Sequence, residues 1–222
     1  MRTPPLSEKE LLESASEIAG KTLQQVANQQ GLATPDNLLH HKGWVGQLLE
    51  LSLGATAGSR PEPDFQHIGI ELKTIPLNRS GSPKETTFIC AINLTEIESH
   101  WEKSLVKHKL SRVLWIPIEA DPEIPLAARR VGSAILWSPD KDQDSILRRD
   151  WEELMDMIAM GELEQITAHQ GQYLQVRPKA ANARTLTKGI DSEGEEILTL
   201  PRGFYLRTSL TKQIVNQPAW KT

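Results

Sequence analysis

Two carboxylates and one amine lie close together in the sequence, in an order that could support metal-dependent chemistry. Asp64 follows Pro63, and Glu71 and Lys73 come a few residues later, separated by Leu72. Alternate side chains of a β-strand point to the same face, so Glu71 and Lys73 would share one face, separated along it by roughly 6.6 Å. Asp64 could bring a second carboxylate to the edge of that strand. These three residues are our candidate catalytic residues.

This set of groups favours a divalent cation and the hydrolysis of a phosphodiester. Two converging carboxylates repel each other unless a cation lies between them, and hard oxygen ligands suit Mg²⁺. Bound Mg²⁺ can activate a water molecule and neutralise charge on the phosphate oxygens. The amine of Lys73 would orient or help to deprotonate that water and offset developing negative charge.

The pattern is uncommon within this chain. Glu71-Leu72-Lys73 is its only acid-any-lysine triplet, and of the three Pro-Asp dipeptides only Pro63-Asp64 lies shortly before it. Spacing alone leaves an alternative open, in which an ordinary edge strand carries a surface Glu–Lys pair and the aspartate belongs to a turn.

Glu50 is a further candidate because apolar residues surround it on a helix predicted from Trp44 to Leu53. A carboxylate with few routes to solvent needs a partner. The metal cluster is one possible partner, directly or through water. The alternative is an ion pair with Lys or Arg, or a side chain that reaches outward.

The elements that would position these residues are helices in the first fifty residues and strands after them. Capping boxes at Ser7 and Thr22, and a helix start at Thr34-Pro35, predict three helices before the Trp44 helix. Further signals predict strands over 68–75, 86–93, 112–118, 172–177, 197–200 and 204–207, a long helix over 144–160, and a short last helix stopped by Pro218. This order predicts a mixed α/β or α+β fold around one central sheet.

Composition sets the protein class. One cysteine cannot form an internal disulfide, no apolar run reaches the ~20 residues of a membrane span, and the polar start lacks a signal core, so we expect a cytoplasmic protein. The net charge is −4, but residues 165–222 contain eight Lys or Arg and only four acids. A locally basic surface for nucleic acid is therefore possible; the alternative is that the charged blocks are solvated faces.

Longer motifs around these residues resemble the MutH family of mismatch-repair endonucleases, from the Trp44 helix to about Leu206. The motifs are Lys42-Gly43-Trp44, Gly54-Ala55-Thr56-Ala57-Gly58-Ser59, Pro63-Asp64 with Glu71-Leu72-Lys73-Thr74, Glu85-Thr86-Thr87-Phe88, His108-Lys109-Leu110, Asp150-Trp151-Glu152-Glu153-Leu154-Met155-Asp156, Arg177-Pro178-Lys179-Ala180-Ala181-Asn182 and Leu200-Pro201-Arg202-Gly203-Phe204-Tyr205-Leu206. Motifs of this length are more specific than a three-residue nuclease pattern.

The resemblance implies a restriction-endonuclease-like fold, with residues 1–222 forming one nuclease domain of two lobes that share a sheet around a DNA cleft. It implies Mg²⁺-dependent nicking of the unmethylated strand, before guanine, at hemimethylated GATC sites in double-stranded DNA. It also implies that the mismatch-repair ATPase MutL activates the enzyme after MutS has found a mismatch. Nicking one strand needs one active centre, so we expect a monomer.

The resemblance also assigns roles by position. Asp64, Glu71 and Leu72 would bind the metal, Lys73 would be the catalytic lysine, and Glu50 and Lys109 would support the active site. The residues that would contact DNA are Lys42, Gly43, Phe88, Arg177, Pro178, Lys179 and Tyr205.

Tyr205 has a physical reason to read methylation, since a phenol packed against the adenine edge would be displaced by an N6-methyl group; its alternative is a core tyrosine. Arg177 could contact guanine or phosphate. Two other functions stay open at this point. One is a restriction endonuclease that cuts both strands at GATC, and the other is a DNA-binding protein without catalysis.

Overall fold

The structure is a computed structural model that describes residues 2–39, 41–58, 60–179 and 185–217. The chain divides into two compact units. Unit 1 comprises Met1–Glu85, Lys109–Ser138 and Lys212–Thr222, and unit 2 comprises Thr86–His108 and Pro139–Thr211. Each unit is therefore assembled from segments that are not contiguous in the sequence.

The described helices are α1 (Glu8–Ile18), α2 (Leu23–Gln29), α3 (Trp44–Leu53), α4 (Leu105–Leu110), α5 (Lys141–Ala159) and α6 (Thr208–Val215). Their starts follow the expected caps, since Ser7 accepts a hydrogen bond from the backbone of Glu10, and Thr22 with Gln25 forms a complete capping box. None of the described helices is long and apolar enough to cross a membrane.

The helix expected after Thr34-Pro35 does not form, and residues 34–39 are irregular. The side-chain oxygen of Asn37 accepts a hydrogen bond from the backbone N–H of Leu39 at 2.9 Å. Such a local bond competes with helix formation. The last helix ends as predicted before Pro218, which itself lies outside the described residues.

The described strands are β1 (Glu71–Leu77), β2 (Thr87–Ala91), β3 (Val113–Glu119), β4 (Ile135–Trp137), β5 (Leu174–Pro178), β6 (Thr187–Ile190), β7 (Glu196–Thr199) and β8 (Arg202–Leu206). Unit 1 holds the sheet β1-β3-β4, whereas unit 2 holds the sheet β2-β8-β5 and the hairpin β6-β7. The fold is mixed α+β, as predicted, but the described strands form three sheets where we expected one.

Unit 1 is organised around the parallel pair β1 and β3, which runs in register from Glu71 opposite Val113 to Leu77 opposite Glu119. Helix α3 packs against β1, and α1 and α2 pack against α3. Residues such as Leu49, Leu72 and Leu114 belong to one buried cluster. β1 begins later than predicted because Gln66–Ile68 is a 3₁₀ turn and Gly69 has φ +65°. That left-handed residue turns the chain into the strand.

Unit 2 is organised around α5, whose buried residues include Leu147, Trp151 and Leu154. Asp140 and Gln143 form its capping box, so the helix starts earlier than predicted. Helix α5 packs against β5, the strand that contains Arg177 and Pro178, two of the expected DNA contacts.

Candidate active site

Asp64 is held beside β1 by a short turn. The backbones of Phe65 and Ile70 exchange two hydrogen bonds, of 2.9 and 3.3 Å, which bring the flanking residues Asp64 and Glu71 together. Asp64 is 9% exposed, and its Oδ2 accepts a hydrogen bond from the backbone N–H of Leu72 at 2.8 Å. The two carboxylates therefore lie close enough to repel each other, and both are buried.

Glu71 is 2% exposed and is contacted by two ammonium groups. Lys73 Nζ lies 2.5 Å from Glu71 Oε1, while Lys109 Nζ lies 2.9 and 3.0 Å from Oε1 and Oε2. Although β1 lies at the edge of its sheet, a surface Glu–Lys pair is excluded, because the Glu71 carboxylate is buried.

The parallel sheet explains how Lys109 reaches this site. The backbone N–H of Glu71 donates to the carbonyl of Arg112 at 3.0 Å, at the start of the β1–β3 register. Lys109 lies in the last turn of α4, just before that point. Its side chain therefore enters the site from the segment that leads into β3.

Glu50 belongs to the same electrostatic cluster. Burial raises the pKa of Glu50, and the charge of Asp64 raises it further, while Lys73 partly offsets these effects. Burial also raises the pKa of Asp64, followed by repulsion from Glu71. Glu50 thus lies close enough to interact with these residues, and the sequence expectation that its carboxylate has restricted access to solvent is confirmed.

The chemistry of these donors fits a divalent cation. Repulsion between Asp64 and Glu71 is the condition that a cation relieves, and carboxylate oxygens are ligands that Mg²⁺ accepts. In the described part of the chain, no group of three or more His, Cys, Asp or Glu side chains is arranged to hold a metal. A cation here would complete its coordination with main-chain oxygen and water.

A second cluster of predicted residues lies on the β2-β8-β5 sheet of unit 2. Phe88 pairs with Tyr205 across β2 and β8, and their rings meet edge to face at 5.3 Å between centroids and 63° between planes. Lys179 Nζ lies 4.1 Å from the Phe88 ring centroid, and Arg177 Cζ lies 5.7 Å from that of Tyr205. The tyrosine is half-buried, and burial raises its pKa.

Three contacts within these clusters could not be predicted from the sequence. Arg177 donates a hydrogen bond to Thr86 Oγ1 at 2.8 Å, the Lys179 ammonium stacks on Phe88, and Lys109 binds Glu71 directly. None has a local sequence signal, because each pair joins distant segments. The other expected DNA contacts, Lys42, Gly43 and Pro178, are exposed; Gly43 is the N-cap of α3, and Pro178 ends β5.

The family model described as "DNA mismatch repair enzyme MutH" matches residues 53–150. The chain is 56% identical over 214 residues to the "DNA mismatch repair protein MutH" of Shigella flexneri serotype 5b (strain 8401), covering 96% of this chain and 93% of that protein. The protein of the same name from Escherichia coli O127:H6 (strain E2348/69 / EPEC) has the same identity and coverage.

Proposed function

Because this chain belongs to the MutH family of DNA mismatch repair enzymes, we propose that its buried carboxylate cluster is the centre of a Mg²⁺-dependent mismatch-repair endonuclease. One observation carries this assignment. A fully buried glutamate, Glu71, is neutralised by Lys73 and Lys109 and stands beside a second buried carboxylate, Asp64. Burying several charges is costly unless they are paired or bind an ion.

Asp64, Glu71 and the main-chain carbonyl of Leu72 would hold the cation. When bound, Mg²⁺ would supply an activated water and neutralise charge on the scissile phosphate. The hydrogen bond from the Leu72 N–H fixes the orientation of Asp64. Because the Leu72 side chain is apolar, its backbone is the part that can bind a metal.

The two lysines have different roles. Lys73, on the same face of β1 as Glu71, donates a hydrogen bond to the attacking water and offsets charge on the phosphate. Lys109 contacts both oxygens of Glu71 and so holds that carboxylate in place. Glu50 would support the centre by binding a water molecule next to Asp64. The charge of Asp64 raises the pKa of Glu50, so the two carboxylates interact.

We propose that residues 1–222 act as a single nuclease domain that nicks the unmethylated strand at hemimethylated GATC sites, before guanine. The residues proposed to contact DNA are Lys42, Gly43, Phe88, Arg177, Pro178, Lys179 and Tyr205. Cations paired with aromatic rings support this role, since both kinds of group contact nucleic acids.

We propose further that the monomer acts in the cytoplasm on genomic DNA and is activated by MutL once MutS has found a mismatch. The test is to compare nicking with and without MutL and ATP, and to measure the mass of the free protein by analytical ultracentrifugation. A large stimulation and a mass of one chain are expected. Rapid cleavage of both strands without MutL would instead identify a restriction endonuclease.

The experiment that tests the centre uses plasmid DNA with one GATC site, methylated on one strand, both strands or neither. With Mg²⁺ we expect nicking of unmethylated strands, which EDTA abolishes and Asp64→Asn reduces by at least 10²-fold. The matched control is Asp36→Asn, because Asp36 also follows a proline but is exposed. Equal activity of Asp64→Asn and the parent protein would refute the assignment of Asp64 to the metal site. A parent protein that binds this DNA but does not nick it would favour the alternative of a DNA-binding protein without catalysis.

A further inference from the structure

Gly203 occupies a position whose backbone does not require glycine. It lies within strand β8 and is buried, and its φ is not among the positive values found at ten other glycines. Glycine weakens the interior of a strand and often marks a place where another group approaches closely. The reason for glycine at position 203 must therefore lie in its surroundings.

Those surroundings leave no room for a side chain. A Cβ atom on Gly203 would lie 2.8 Å from Cε2 of Phe88 and 3.0 Å from the carbonyl oxygen of Cys90. Phe88 comes from the neighbouring strand β2, where the pairing with β8 shifts between Phe88 and Cys90. The Phe88 ring thus lies over β8, in the volume that a side chain at position 203 would fill.

The position of this ring fixes its contacts with two other residues. The Phe88 ring meets Tyr205 edge to face at 5.3 Å, and the ammonium of Lys179 lies over it at 4.1 Å. Gly203 and Tyr205 are two residues apart in β8, so both belong to the same face of the sheet. The ring that rests on Gly203 is therefore also the neighbour that limits where the Tyr205 ring can lie.

We propose that Gly203 is a positioning residue for the recognition of adenine methylation, acting through Phe88 on Tyr205. This inference rests on the proposed function, in which Tyr205 lies against the adenine edge. A side chain at position 203 displaces the Phe88 ring and releases Tyr205 from its position. A phenol that is free to move tolerates an N6-methyl group that the fixed phenol excludes.

The test compares nicking rates on hemimethylated and fully methylated GATC plasmids for the parent protein, Gly203→Ala and Gly189→Ala. Gly189 is a matched control, since it also lies in a strand of unit 2, has no positive φ, and would place its Cβ against the tip of Thr199. We expect Gly203→Ala to lower the ratio of the two rates about tenfold, equivalent to a single base contact, with no change for Gly189→Ala. An unchanged ratio for Gly203→Ala overturns the inference, even if the nicking rates on both DNAs fall equally.

A measurement without DNA separates this inference from the proposed function. The chain has only two tyrosines, Tyr173 and Tyr205, so ring signals of ¹³C-labelled tyrosine can be assigned with one Tyr→Phe variant. Gly203→Ala should shift the Tyr205 signal and leave that of Tyr173 in place. A parent protein that ignores methylation would refute the proposed function, whereas an unshifted Tyr205 signal refutes the positioning by Gly203.

A double variant covers the case in which Gly203→Ala does not fold. Phe88→Ala removes the ring that the new Cβ would strike, so Phe88→Ala/Gly203→Ala should fold as well as Phe88→Ala and have the same rate ratio. If the double variant also fails to fold while Phe88→Ala folds, glycine is required by the Cys90 backbone, and the proposed action through Phe88 is wrong.

Discussion

Lys109 and Glu71 are 38 positions apart in the sequence, yet the Lys109 ammonium contacts both carboxylate oxygens of Glu71, at 2.9 and 3.0 Å. The side chain of Glu71 is 2% exposed and that of Lys109 13% exposed. Within unit 1, this pair links the segment before β3 to the first residue of β1. It neutralises a carboxylate that would otherwise be costly to bury.

Lys109→Met should reduce the nicking rate by about 10- to 100-fold, the usual effect of losing a group that orients a metal ligand. Lys73 still contacts Oε1 of Glu71 in this variant, but Oε2 loses the hydrogen bond that Lys109 donates. Single-turnover nicking at saturating Mg²⁺ measures the effect. Lys103→Met is the control, since Lys103 is exposed, and equal rates for the two variants would contradict the role of Lys109.

Asp150 is expected to be the most important polar residue for the stability of unit 2. It is 1% exposed, and its Oδ2 accepts hydrogen bonds from the backbone N–H groups of Gln172, Tyr173 and Leu174 at 2.8, 2.5 and 3.0 Å. Asp150→Ala leaves these donors without their acceptor and should lower the free energy of unfolding by about 3 kcal/mol.

Urea denaturation followed by tryptophan fluorescence measures this change. Asp156→Ala, on the same helix but exposed, should change the free energy of unfolding by less than about 0.5 kcal/mol. If the two variants unfold at the same urea concentration, Asp150 does not anchor β5 to α5.

Tyr205→Ser should weaken discrimination against methylated adenine more than it weakens DNA binding. The serine side chain is too short to meet an N6-methyl group, so the ratio of nicking rates on hemimethylated and fully methylated DNA should fall about tenfold. Binding to unmethylated DNA, measured by fluorescence anisotropy, should fall less. Tyr173→Phe is the control, and an equal loss of binding and discrimination in Tyr205→Ser would refute the reader role.

The Glu8–Arg112 ion pair should stabilise unit 1 at neutral pH and lose its effect in acid. A hydrogen bond from Arg112 lowers the pKa of Glu8 below its ordinary value. The ion pair therefore contributes fully to the free energy of unfolding at pH values above the ordinary pKa of glutamate. This contribution disappears as the pH falls through the lowered pKa of Glu8. Both side chains are partly exposed, at 47% and 35%, so the contribution should stay below about 1 kcal/mol.

Melting temperatures of the parent protein and Arg112→Gln, measured from pH 7 down to pH 3, test this prediction. The parent should melt at the higher temperature at pH 7, and the difference should shrink as the pH falls. A difference that stays constant with pH would show that Arg112 stabilises the fold through contacts other than Glu8.

Much of the candidate centre could be predicted because its residues are local in sequence. Alternation along one strand placed Glu71 and Lys73 on a common face, and the turn at 65–70 needs only short-range hydrogen bonds to bring Asp64 beside them. The helices that begin after Ser7 and Thr22 formed where expected. The Thr34 helix did not form, and the Asn37 side chain there accepts a local hydrogen bond from Leu39, of the kind that competes with a helix.

The remainder depends on pairing between distant segments, which a single sequence does not encode locally. The contact between Lys109 and Glu71 requires β3 to align with β1, and the stack of Lys179 on Phe88 requires β5 and β2 to flank β8. Short strands such as β4, with three residues, have too few positions to establish a period. The division of the strands into three sheets follows from these long-range pairings as well.

Unit 1 is interrupted in sequence by residues 86–108, which belong to unit 2, and Glu71 and Lys109 stand on opposite sides of this interruption. As the chain leaves the ribosome, the carboxylates and Lys73 emerge before Lys109, the second ammonium group that contacts Glu71. A fragment that stops at residue 85 carries the acidic ligands without Lys109 and without β3. The centre is therefore completed only after residues 86–108 have been made and the chain has returned to unit 1 at Lys109, roughly halfway through synthesis.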